Sequence, residues 1–92
     1  PLHRAAMAGH AEAAKVLLQH GADLHALDGM FAASPLVWAA EGWSHHPSDG
    51  HLAVARVLLD AGSSREWQPP EKAPDPERTQ EILLELCRAA ER

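Results

Sequence analysis

The sequence predicts an all-α fold, a helical solenoid of antiparallel helix pairs with a short hairpin between repeats. Three observations predict it. First, Pro1-Leu2-His3-Arg4-Ala5-Ala6 returns as Pro35-Leu36-Val37-Trp38-Ala39-Ala40, and Ala14-Lys15-Val16-Leu17-Leu18 returns as Ala55-Arg56-Val57-Leu58-Leu59. Internal repetition at this spacing marks a solenoid, in which each unit buries its apolar face on the next. Second, apolar residues recur at helical spacing in short runs. Third, glycines punctuate those runs at Gly9, Gly21 and Gly62.

The elements follow in order. A first helix covers residues 2–8, and Gly9 supplies a left-handed turn that a side chain would resist. A second helix covers 11–19, with Ala13, Ala14, Leu17 and Leu18 on one stripe, Lys15 and Gln19 on the wet face, and Gly21 at its end. Asp28-Gly29, flanked by apolar residues, predicts a tight hairpin turn. Ser34 then caps a helix opening with Pro35, whose missing amide costs nothing there. The early part of the pattern repeats at an offset of 34 and the later part at 41. The difference, an insertion of 7 between Ala40 and Gly50, predicts a lengthened loop at about 43–49. The next helix covers 51–60, with Ser48 or Asp49 as its cap and Gly62 closing it. Residues 65–76 are proline-dense and predict an extended connector. Asp75 then caps a last helix over 77–92, with Leu83, Leu86, Cys87 and Ala90 as its stripe and a charged outer face. The organisation is thus two repeats over 1–64 (1–28 and 29–64), a connector and a C-terminal capping helix.

Composition bounds the function. At 92 residues the chain forms one domain, with 46% hydrophobic and 23% charged residues. A net charge of −5 argues against nucleic acid as a partner. No apolar run reaches the length of a membrane span. A single cysteine, Cys87, rules out an internal disulfide and predicts an intracellular, cytoplasmic setting. The chain opens at Pro1 rather than at methionine, so further repeats are expected N-terminal to it.

The segment Pro1-Leu2-His3-x-Ala5-Ala6-x-x-Gly9-His10, followed by Val16-Leu17-Leu18 and Gly21-Ala22-Asp23, closely resembles the ankyrin repeat. The resemblance covers roughly residues 1–64. It departs from the pattern where Ser34 replaces a threonine and Val37 a histidine. In the family that pair ties hairpin to helix through hydrogen bonds, which Val37 cannot make. The resemblance implies a non-catalytic module for protein–protein interaction, binding through hairpin tips and the inner-helix surface. Carried onto this sequence, the tip is Leu27, Asp28, Gly29, Met30 and Phe31, and the inner-helix positions are Arg4, Met7, Ala8, Trp38 and Glu41. Met30, Phe31 and Trp38 are the expected anchors, although Phe31 and Trp38 could instead pack on a neighbouring repeat. Trp43 in the inserted segment completes the partner-binding set, with that segment as a local specificity device.

Other chemistry is weaker. His45, His46 and His51 with Asp49 invite a metal reading, but His51 repeats His10 and the remaining pair falls short of a four-ligand site. Ser44 and Ser48 beside these histidines lack an oxyanion donor. No catalytic, cofactor or metal site is expected. His3 is expected to be a structural hydrogen-bonding residue, and Trp67 to cover the end of the second repeat. The rival to partner binding is structural: a C-terminal cap of a longer array whose binding or enzymatic activity lies upstream.

Overall fold

The computed structural model describes residues 1–91, and among them it contains five α-helices and no strand. Helices α1 (Leu2–Ala8) and α2 (Ala11–Gln19) form the first pair, and α3 (Pro35–His45) and α4 (Asp49–Asp60) the second. In the stack, α1 lies along α3 and α2 along α4, while α5 (Pro76–Ala90) packs across both α3 and α4. Helices of seven and nine residues, like α1 and α2, are too short to persist alone, so stacking is what holds them. Gly9 makes the turn between them at φ 76°, returning its own N–H to the Ala6 carbonyl while the His10 N–H reaches the Ala5 carbonyl.

The largest fully buried side chains, Leu36, Leu58, Leu83, Leu86 and Val54, come from α3, α4 and α5. The first pair contributes mainly small residues, Ala5, Ala6 and Ala14. Of the stripe expected on α2, Ala14 is buried, Leu17 and Leu18 are half-buried, and Ala13 is exposed. The flank of α2 away from α4 thus remains open, with Val16 48% exposed.

The inserted residues are not the long loop expected. Helix α3 runs eleven residues against seven for α1, carrying Trp43, Ser44 and His45 in its last turn. Trp43 packs on the core and rewards this extension. The helix stops before Pro47, whose ring disfavours helical backbone at His46. Only His46, Pro47 and Ser48 remain between the helices. Helix α4 accordingly starts at Asp49 rather than at His51, with the Ser48 hydroxyl as its cap. Gly50 is therefore helical and does not repeat the turn made by Gly9.

The join between repeats is a close backbone approach. A Cβ on Gly42 would lie 2.0 Å from the Met7 carbonyl oxygen, and one on Gly50 would lie 2.3 Å from that of Gly9. His51, 3% exposed, fills the space beside them. Its Nε2 is 2.7 Å from the Met7 carbonyl oxygen and its Nδ1 is 2.7 Å from the Ser48 hydroxyl. A carbonyl only accepts, so Nε2–H donates to it, while Nδ1 pairs with the Ser48 hydroxyl. The imidazole thereby bridges α1 to α4.

The hairpin between repeats also forms differently. The Asp28 N–H donates to the Ala33 carbonyl (3.1 Å). The Asp28 carboxylate then accepts from the N–H groups of Phe31 (3.0 Å) and Ala33 (2.9 Å). This carboxylate organises the turn through Ala33, and it is Ala32, not Gly29, that takes the left-handed conformation, at φ 49°. Ser34 occupies the N-cap position of α3, yet its side chain caps nothing: the hydroxyl oxygen is buried with no hydrogen-bond partner.

At the C-terminal end, Asp75 caps α5 by accepting from the Arg78 N–H. Arg56 on α4 donates to the Ala90 carbonyl at 2.8 Å, and Arg65 pairs with Glu91. Ile82 joins the expected stripe of Leu83, Leu86, Cys87 and Ala90 in the core. Burial pushes the Cys87 thiol above its ordinary range, against the opposing pull of Arg65.

Two substitutions should behave opposite to local rules. Helix propensity alone would have Gly42→Ala stabilise by about 1 kcal/mol. The new methyl collides with backbone, however, so a net loss of about 2 kcal/mol or more is expected in urea unfolding. Conversely, Ser34→Ala should be neutral to about 1 kcal/mol stabilising, since it removes a buried hydroxyl without a partner rather than a working cap.

Candidate functional site

The carboxylate of Asp28 sets the hairpin, and the hairpin sets Phe31 beside α3. Behind it, His3 Nε2 donates to the Ala33 carbonyl at 2.9 Å, the structural role expected of this residue. The same imidazole meets Trp38 edge to face, with ring centroids 5.3 Å apart and planes inclined by 72°. Trp38 is therefore backed on one side by the first repeat and remains half-buried. One helical turn farther along α3, Glu41 accepts from the Thr79 hydroxyl of α5 at 3.0 Å.

The connector closes the opposite side. It does not run extended: the Ala73 N–H turns back to the Pro70 carbonyl. Trp67 is 7% exposed, and its indole N–H donates to the Phe31 carbonyl at 3.1 Å. Gln80 on α5 reaches the Trp67 carbonyl at 2.5 Å. Trp67, expected to cover the end of the second repeat, is thus pinned between hairpin and α5.

Between these walls lies an apolar groove of about 280 Å³. Met7, Phe31, Val37 and Trp38 line one side, and Trp67, Ala73 and Pro74 the other. Glu41, Asp75 and Thr79 are the residues with charged or hydroxyl side chains along it.

Of the residues expected to face a partner, Met7, Phe31, Trp38 and Glu41 converge on this groove. Leu27 and Met30 project from the hairpin tip, 63% and 78% exposed, and do not line it. Asp28 is occupied in building the turn. Arg4 is exposed on α1, outside the groove. Trp43 stands apart: it lines a separate, more polar cleft with Pro47, Arg78 and Glu85, between the end of α3 and α5. The expectation missed Trp67, Pro74 and Thr79, all from the connector and α5. The one signal pointing to them is that the step from Gly62 to Pro76 equals that from Gly21 to Pro35, which puts the connector at the place of a next hairpin.

The histidine-rich segment does not assemble a ligand set. Both ring nitrogens of His51 are engaged, and His45 lies 3.7 Å from Glu41 in an exposed pairing worth little energetically. Among the described residues, no three His, Cys, Asp or Glu side chains converge on one point.

Comparison with known proteins gives one family. A family model described as "Ankyrin repeats (3 copies)" matches residues 1–67, more than half of the chain. No curated protein matches the chain.

The role of Trp67 is open to a substitution test. Trp67→Phe keeps an aromatic ring but removes the donor to the Phe31 carbonyl and part of the buried ring. It should cost about 1 kcal/mol for the bond and about 1 kcal/mol more for the smaller ring in chemical unfolding, with the far-ultraviolet circular dichroism unchanged.

Proposed function

We propose that this chain, which belongs to the ankyrin repeat family, binds a segment of another protein non-covalently in the groove between α1, α3 and the connector. Repeats of this family are generally protein–protein interaction modules, and the family is typically non-catalytic. The observation that carries the proposal is the convergence of Met7, Phe31, Trp38 and Glu41 on one apolar groove. Apolar grooves rimmed by a few polar groups are where side chains dock. Trp38 is the principal anchor, with the exposed Leu27 and Met30 extending the contact along the hairpin tip. No catalytic role is assigned to the chain. Among the described residues no helix is long and apolar enough to cross a membrane. An intracellular, cytoplasmic setting fits the lone buried Cys87.

A second reading has its own support. Helix α5 covers both helices of the second repeat, whereas the outer flank of α2 is open, with Val16 exposed and Leu17 and Leu18 half-buried. That asymmetry suits the C-terminal end of a longer array, with α5 as its structural cap.

Partner capture separates the two. A photo-crosslinker placed at Met7 should join the chain to a discrete protein, and Trp38→Ala should weaken that binding by about 2–4 kcal/mol in calorimetry. If Trp38→Ala lowers the melting temperature and leaves affinity unchanged, Trp38 is core and the groove is not the binding site.

A further inference from the structure

The chemistry of the groove restricts what can enter it. Trp38, Trp67, Phe31 and Met7 form its apolar surface, and the charged side chains lining it are both carboxylates, Glu41 and Asp75. No lysine or arginine lines it. Both carboxylates are held in place by hydrogen bonds: Glu41 Oε1 accepts from Thr79 (3.0 Å), and Asp75 Oδ1 from the Arg78 N–H (3.3 Å). Each retains acceptor capacity, since an ionised carboxylate offers about four lone-pair sites. His45 Nε2 lies 3.7 Å from the other oxygen of Glu41, on the exposed side. Aromatic faces attract cations, and the net charge of −5 favours a basic partner at longer range. A volume of about 280 Å³ lies just below the range of about 300–1,000 Å³ that holds drug-sized ligands, and suits one long side chain.

We propose that this groove takes an arginine side chain presented by an extended segment of a partner protein, its guanidinium over the aromatic wall and hydrogen-bonded to Glu41 and Asp75. The proposal rests on the groove-binding function above and adds the identity of the residue that enters. Arginine fits better than lysine. Its planar guanidinium stacks on aromatic rings, spreads its donors over a fork that can reach separated carboxylates, and is more weakly hydrated. An acidic side chain meets like charge at both carboxylates, and a purely apolar one desolvates them without supplying a donor.

Selection of random twelve-residue peptides displayed on phage against the intact chain tests it. Fluorescence polarisation of the selected peptides then gives affinities. The selected sequences should share an arginine beside an apolar residue. Replacing that arginine by citrulline, which keeps the shape and removes the charge, should weaken binding about tenfold or more. Glu41→Gln in the protein should weaken the arginine peptide several-fold and the citrulline peptide little, while Glu12→Gln on α2 should leave both unchanged. Peptides that lose affinity on Trp38→Ala yet lack a basic residue, or that tolerate citrulline, overturn the arginine assignment and leave groove binding standing. Should Trp38→Ala unfold, Phe31→Ala takes its place. A selection yielding no peptide sensitive to either substitution overturns both.

Discussion

The buried imidazole of His51 sits where two repeats meet, and the geometry of the molecule depends on it. Short helices gain stability only by stacking. Here the stack is closed by backbone pressed on backbone at Gly42 and Gly50, with His51 giving the Met7 carbonyl its partner. A buried carbonyl left unpaired costs about 1–3 kcal/mol, a large share of the stability of a small domain. The same bond fixes the end of α1 against α4, while Gly42 of α3 presses on the same carbonyl, and together they set Met7 relative to Trp38. The groove is therefore a consequence of the inter-repeat join, not an addition to it.

Its other wall depends on α5. Arg56 on Ala90, Thr79 on Glu41 and Gln80 on Trp67 are single hydrogen bonds, each modest in net energy. They operate together because α5 also buries Ile82, Leu83, Leu86, Cys87 and Ala90 against the second repeat. Burial of a leucine side chain stabilises by about 1.5–3 kcal/mol, more than any one of these bonds. Packing thus holds α5 in place, and the Gln80 bond ties the connector to it. A helix that caps the stack and a helix that builds the groove are one element here, so the structural and the binding roles are not exclusive.

What could be read in advance divides along physical lines. Helices α1 and α2, the Asp75 cap and most of the α5 stripe were legible because periodicity, glycine and proline act within a few residues. The departures involve contacts that residue type and spacing do not encode. Trp43 packs on the core and draws the insertion into α3, which the local Ser, His and Pro composition does not reveal. The Asp28 carboxylate overrides the local preference of Asp-Gly by recruiting Phe31 and Ala33. Gly50 resembles a turn residue in sequence, yet it is demanded for close approach rather than for its backbone angles. Half of the groove was visible as repeat positions. The half built by Trp67 and Pro74 was not, because proline density says how stiff a connector is and not where it docks.

Position 37 links these observations. In the first repeat His3 ties α1 to the hairpin through the Ala33 carbonyl and stands behind Trp38. At the equivalent place in the second repeat Val37 makes no such tie, and the neighbouring Ser34 hydroxyl is left buried and unpartnered. Val37, however, is 3% exposed and lines the groove beside Trp38 and Phe31. An imidazole there would place a polar, titratable group on a surface otherwise aromatic and aliphatic, and a protonated one would oppose a cation drawn in by Glu41 and Asp75. Exchanging the tie for a methyl-lined floor weakens the second repeat locally and keeps the groove apolar, so that its two rim carboxylates remain the charges that meet whatever enters.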